Sequence, residues 1–256
     1  MTLKVFITGA SSGIGEALAV YYAGEGAKLG LIGRRSEFLA GLNQRLGGQH
    51  ACYALDVCDA PALHVAAVDF ISRFGAPDIV IANAGVSAGT LTEYEEDLDV
   101  FRRIMETNVF GMAATFAPFI PAMKTAGGER RLVGIASVAG IRGLPGAEAY
   151  SASKAAAISY LESLRLEMRP YGIKVVTIAP GYIETPMTAV NGYKMPFLLP
   201  VEKAAQRFAG AIARGTTYTV IPWQMGVVAK LLRLLPNWLY DRLFANAPRK
   251  PRGLPG

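Results

Sequence analysis

Apolar runs of strand length alternate along this chain with stretches of helical periodicity, and that alternation leaves few folds open. Leu3–Thr8, Lys28–Ile32, Ala51–Leu55, Ile79–Ala82, Arg131–Ala136, Lys174–Ile178 and Tyr218–Ile221 read as strands. Helices are expected over Ile14–Glu25, Ser36–Leu46, Ala60–Phe74, Leu98–Met123 (one helix or two), Tyr150–Arg169 and Val201–Ala213. Strands that alternate with helices in this way build a parallel sheet covered on both faces. The bulk numbers agree: 256 residues suffice for one large α/β domain, and 52% hydrophobic residues suit a fully buried sheet. Pro186–Pro200, rich in Pro, Gly, Met and Asn, interrupts the pattern just after the sixth strand. At the carboxyl edge of an α/β sheet, where ligands bind, such a segment reads as a mobile substrate lid.

Two sequence clusters carry chemistry. Thr8-Gly9-Ala10-Ser11-Ser12-Gly13-Ile14-Gly15 follows the first strand and opens the first helix. Gly9 suits a tight turn, Gly13 lets the backbone approach a pyrophosphate, and Gly15 lets the helix pack close to the strand. Ser11, Ser12 and Ile14 stand where the helix N-terminus offers free N–H groups and a partial positive charge. At the end of the second strand comes Gly33-Arg34-Arg35, with no carboxylate to bind a ribose 2′-hydroxyl. Two guanidiniums suit a 2′-phosphate, so NADP(H) is expected over NAD(H).

The second cluster is Tyr150-Ser151-Ala152-Ser153-Lys154, with Ser137 thirteen residues upstream. A spacing of four puts the phenol and the ammonium on one helix face. A fixed cation is expected to lower the phenol pKa and make Tyr150 a proton donor and acceptor, with Ser137 bonding the oxygen that receives the proton.

Together Gly9–Gly15, Asn83-Ala84-Gly85, Ser137 and Tyr150–Lys154 resemble the short-chain dehydrogenase/reductase family, from about residue 3 to about 222. The resemblance implies a single Rossmann-type doubly wound domain with a seven-stranded parallel sheet over 1–222, the lid at 186–200 included. It implies catalytic roles for Ser137, Tyr150, Lys154 and Asn108, the last thought to hold a water in a proton relay. It places the adenine at Asp56 and Val57, the cofactor ribose at Asn83, Ala84 and Gly85, and the nicotinamide carboxamide at the segment Pro180, Gly181, Ile183 and Thr185. The expected activity is interconversion of a ketone or aldehyde and an alcohol, on a medium-sized apolar substrate walled by Ser87, Ala88, Gly89, Val138, Ala139, Leu144, Tyr182 and Met187. The alternatives are a membrane-associated reductase of a lipid-like carbonyl, a non-catalytic NADP(H)-binding regulator, and an epimerase on the same fold. The family favours a homodimer or homotetramer, built on the Leu98–Met123 and Tyr150–Arg169 helices.

Other features bound the partners. Net charge is +6, but the excess lies in scattered pairs such as Arg130-Arg131, so no nucleic-acid partner is expected. Cys52 and Cys58 form no disulfide framework, and His50 and His64 show no metal spacing and read as ordinary surface or loop histidines. No secretory leader is expected, and no uncharged run reaches the ~18 residues that span a bilayer. The expected location is cytoplasmic. Residues 223–247 form an apolar extension that Pro236 should split into two short helices. Its stripe suits packing on the core or a partner subunit, with a peripheral membrane contact as the alternative. Residues 248–256 read as a disordered tail.

Overall fold

The computed structural model describes residues 2–247 and 249–253. Seven strands form one parallel sheet in the order β3-β2-β1-β4-β5-β6-β7: β1 Lys4–Thr8, β2 Lys28–Gly33, β3 Ala51–Ala54, β4 Ile79–Ala82, β5 Arg130–Ile135, β6 Ile173–Pro180 and β7 Tyr218–Ile221. The two-residue strand period sorts side chains into two cores. Val5, Ile7, Leu29, Leu31, Ile79, Ile81, Val133 and Ile135 face α1 (Gly13–Gly24) and α9 (Val201–Arg214). Phe6, Val80 and Leu132 face α3 (Ala60–Phe74) and α7 (Glu148–Met168). In the second core Phe6 meets Phe119 with ring centroids 4.5 Å apart and Phe70 edge-on at 5.4 Å. Gly30 is required there, because a Cβ on it would lie 2.5 Å from the Phe6 ring.

Strand order reverses between β1 and β4, and ligand crevices form outside the carboxyl ends of strands at such a reversal. The segments leaving β1 to β6 therefore supply the site.

The remaining helices fall near their expected places, with differences that have local causes. The stretch expected as Leu98–Met123 is divided into α4 (Asp97–Met105), a π-helical turn (Glu106–Phe110), α5 (Gly111–Phe116) and α6 (Ile120–Ala126). Pro118 and Pro121 explain the break between α5 and α6, since proline cannot donate to the helical ladder. The segment expected as a lid contains one helical turn, α8 (Pro186–Ala189), capped reciprocally by Thr185 and Thr188. His50, read as a surface or loop histidine, is buried, and its Nδ1 accepts from the Leu29 amide at 3.3 Å. α2 spans Ser36–Arg45.

The extension forms α10 (Trp223–Leu234) and α11 (Asn237–Phe244), separated at Pro236. Its inner face packs on the domain: Met225, Ala229 and Tyr240 are buried. Its outer face is exposed. The tail differs from expectation over residues 249–253, while 248 and 254–256 lie outside the described residues. Gly89 N–H donates to Pro251 O at 2.8 Å, and Lys250 Nζ donates to Ser87 Oγ at 2.9 Å and Met187 O at 3.3 Å. Arg252 donates to both Asp97 carboxylate oxygens and to Glu96, with its guanidinium 3.7 Å from the Tyr94 ring centroid. Composition suggested a solvated tail; the acidic start of α4 holds it down.

Candidate active site

The cleft begins at the β1–α1 turn. Gly9 and Gly13 have φ of +68° and +58°, which side chains rarely adopt, and both line the cleft. Gly15 lies behind them: a Cβ there would press on the Gly9 carbonyl oxygen and come within 2.6 Å of Asn83 Nδ2. Ser12 caps α1 without using its side chain, so it satisfies none of the first-turn N–H groups, which are left for a ligand. Ser11, Ser12 and Ile14 form the rest of this wall. The geometry is a cradle that an added Cβ would fill, with unspent donors, and it fits a dinucleotide pyrophosphate.

Asn83 ties the end of β4 to this turn. Its side chain donates to Thr8 O at 3.0 Å and Gly9 O at 3.3 Å, while its own amide and that of Ala84 donate to Thr8 Oγ1. Asn83, Ala84 and Gly85 all face the cleft. At the far end Arg34 and Arg35 follow β2. Arg35 stacks 4.0 Å over Phe38, and its Nη2 lies 3.3 Å from Ser11 Oγ. Asp56 and Val57 close the neighbouring wall. Burial alone would raise the Asp56 carboxyl, but the Cys58 amide and Arg103 outweigh it and hold the carboxyl below its ordinary range. Arg103 and Thr107 also line the cleft, and sequence reasoning missed both. On α4, Arg103 beside Arg102 is indistinguishable from a solvated helix face until β3 brings Asp56 against it.

The opposite wall holds Ser137, Tyr150 and Lys154. Ser137 ends the β5 segment, and Tyr150 and Lys154 sit one turn apart on α7. Lys154 is only 4% exposed; its Nζ donates to Ile135 O at 2.9 Å and lies 5.8 Å from the Tyr150 ring centroid. Burial lowers its pKa to about 8. The Tyr150 phenol departs from the sequence-based expectation. Burial raises its pKa, and the group that lowers it is the hydrogen-bonded Ser137 hydroxyl rather than the Lys154 ammonium. The physical reason is that Lys154 is buried and turned to Ile135 O while the half-buried Tyr150 ring loses water, so desolvation raises the phenol and only Ser137 acts against it.

Asn108 does not line the cleft. It lies fully buried in the π-helical turn, where Oδ1 accepts from Val86 N at 2.8 Å and Nδ2 donates to Val86 O at 3.0 Å and Ser153 Oγ at 2.9 Å. It is near the site nonetheless, since a Cβ on Gly85 would meet Asn108 Oδ1 at 3.1 Å and Lys154 Nζ at 3.5 Å. Pro180, Gly181, Ile183 and Thr185 complete the wall after β6. Of the eight side chains expected around a substrate, Met187 lines the cleft. Ala88 and Ala139 are buried, Leu144 lines a separate pocket beside Tyr240, and Ser87 and Gly89 are engaged by the tail. Within the segment expected as a lid, Tyr193, which the sequence did not single out, packs on Tyr182 with ring centroids 6.4 Å apart. Burial, followed by Tyr182 and Tyr150, pushes its pKa up to about 12. Among the described residues no group of three His, Cys, Asp or Glu side chains could hold a metal ion.

Comparison with known proteins bears on this geometry. Residues 3–195 match the family model for short chain dehydrogenases. An uncharacterized oxidoreductase of Myxococcus xanthus is 39% identical over 243 residues, covering 92% of this chain and 93% of that protein. The crystal structure of a short chain dehydrogenase from Burkholderia cenocepacia in complex with NADP superposes with a TM-score of 0.81 at 27% identity, covering 94% of this chain and 97% of that one. A 3-ketoacyl-(acyl-carrier-protein) reductase from Brucella melitensis, complexed with NADH, superposes with a TM-score of 0.79 at 26% identity, covering 86% and 96%. The family match spans most of the chain and includes the glycine cradle, Asn83 and the Ser137–Tyr150–Lys154 wall, and on that basis the chain belongs to the short-chain dehydrogenase/reductase family.

Proposed function

We propose that this oxidoreductase reduces a medium-sized apolar ketone or aldehyde with NADPH, and catalyses the reverse oxidation of the alcohol. The observation that carries the reading is the convergence of Ser137, Tyr150 and Lys154 on the cleft whose other wall is the Gly9–Gly15 cradle. When bound, the dinucleotide supplies the hydride that reaches the carbonyl carbon. Gly9, Gly13 and the first turn of α1 hold its pyrophosphate, while Arg34 and Arg35 bind a 2′-phosphate. Asp56 and Val57 flank the adenine. Asn83, Ala84 and Gly85 border the ribose, and Pro180, Gly181, Ile183 and Thr185 border the carboxamide.

Tyr150 gives its proton to the carbonyl oxygen. Its raised pKa keeps the phenol protonated at neutral pH, so the donor is ready when negative charge grows on that oxygen. Ser137 hydrogen-bonds the same oxygen and stabilises the developing charge. Lys154, with a pKa of about 8, is an ammonium at neutral pH and holds ribose hydroxyls. Asn108 fixes the Val86 backbone and Ser153 from behind, and supports proton resupply from that side. For assembly we infer a homodimer or homotetramer over the α4–α6 and α7 faces, where Leu98, Phe110 and Leu166 are exposed.

Tyr150→Phe tests the assignment against a panel of apolar ketones, followed by loss of NADPH absorbance. The expected loss in kcat is at least ~10²-fold, with NADPH binding by fluorescence nearly unchanged. A variant that keeps most of its activity would overturn the reading.

A further inference from the structure

We propose that the outer face of α10 and α11 docks on an anionic membrane surface. The two helices are fastened to the domain from within. Met225 packs on Gly181, Tyr240 Oη donates to Gly143 O at 2.6 Å, and Arg142 donates to the carbonyl oxygens of Leu232 and Leu235 while lying 3.9 Å over the Tyr240 ring. The inner groups that could satisfy these helices are therefore already engaged, and the outer face needs a separate explanation.

That face is apolar and continuous. Trp223, Val227, Leu231 and Leu234 stand at i, i+4, i+8 and i+11, an arc of roughly 80° at 3.6 residues per turn. All four are between 49% and 81% exposed, and Trp238 and Leu243 continue the exposed surface on α11. A lone exposed leucine is ordinary, but six large apolar side chains on two adjoining helices are not.

Charge identifies what covers them. Beyond Glu202 the sequence carries nine Lys and Arg residues against one acid, Asp241, whereas the first 202 residues carry 17 basic and 19 acidic side chains. On the helices that bear the apolar face, Lys230, Arg233 and Arg242 stand against the single acid Asp241, so this surface is locally positive. Lys230 flanks the apolar arc, about 20° beyond the Trp223 edge, so a cation accompanies the greasy stripe where headgroups would meet it. A second copy of this chain is the poorer occupant, because two copies of the same net-positive surface repel. Tryptophans on the apolar face and basic residues beside it are the composition of helices that lie in a bilayer interface. No helix among the described residues is long and apolar enough to cross a membrane.

The test is flotation of the full chain with vesicles of phosphatidylcholine, with or without phosphatidylserine. The expected result is recovery with the phosphatidylserine vesicles, falling ~10-fold without that lipid or at ~0.5 M salt. The variant Trp223→Glu/Leu231→Glu/Trp238→Glu should partition ~100-fold less while keeping its circular dichroism and NADPH binding. Lys230→Glu should remove much of the phosphatidylserine dependence alone. The proposal is overturned if the wild-type chain stays unbound with anionic vesicles, or if the triple variant floats as well as the wild type. It is likewise overturned if the variant's only change is a smaller assembly by size exclusion, which would make the face a subunit contact. Because flotation needs neither substrate nor turnover, its failure is distinguishable from failure of the reductase reading.

Discussion

Lys154→Met should make the protein more stable at neutral pH, although it removes a residue of the proposed proton-transfer wall. Lys154 is almost fully buried, and burial lowers its pKa from 10.5 to about 8. At 1.36 kcal/mol per unit, keeping this ammonium in the folded state costs roughly 3 kcal/mol. Below pH 8 both folded and unfolded chains hold the proton, and the cost is present in full. Between pH 8 and 10.5 the unfolded chain holds more protons than the folded one, so stability rises with pH and the cost disappears. Methionine has a similar volume and no charge to desolvate. It also gives up the hydrogen bond to Ile135 O, which offsets the gain by about 1 kcal/mol. The expected net gain is about 2 kcal/mol at pH 7, or roughly 4–8 °C in Tm for a chain of this size, shrinking to nothing or reversing near pH 10. Thermal unfolding of both proteins at the two pH values measures it. A variant less stable at pH 7, or a Tm difference that does not change with pH, would refute the argument. The outcome would also show that the site holds a destabilising charge, the usual relation between stability and function.

Other expectations follow from single contacts. Arg34→Asp should raise the KM for NADPH and reverse the cofactor preference, because a carboxylate at that turn binds a ribose hydroxyl and repels a phosphate; equal KM values for NADPH and NADH in the wild type would refute the phosphate role. Gly15→Ala should destabilise by about 1–3 kcal/mol and abolish cofactor binding, since the new Cβ meets the Gly9 carbonyl and Asn83; differential scanning fluorimetry and NADPH fluorescence both read it. Truncation after Ala247 should speed amide hydrogen exchange at Ser87–Thr90 and around Met187, which the tail holds through Lys250 and Pro251; unchanged protection there would show that the tail contributes nothing to the site rim.

Much of the site was legible in the chain, and the reason is local. Gly9, Gly13 and Gly15 are constrained by the turn they form, and Tyr150 and Lys154 by one helical turn, so their spacing survives in any fold that keeps those elements. The residues that sequence reasoning missed come from distant segments. Arg103 becomes a cleft residue only because α4 lies against the loop after β3, where Asp56 holds it. Tyr193 belongs to an irregular segment with no periodicity to read, and Lys250 to a tail whose anchor, Asp97, lies 155 residues from Arg252.

The linear order of strands, glycines and the Tyr–Lys pair was enough to determine a parallel α/β sheet and to point to one crevice, because hydrophobic period and turn chemistry act over a few residues. Tertiary structure alone decided the protonation preferences in that crevice and the fate of the C-terminal segment. Whether an ammonium lowers a phenol depends on how much water both groups lose, and whether an apolar stripe is core or surface depends on which face the rest of the domain has already covered. Both are properties of burial, which no spacing along the chain encodes.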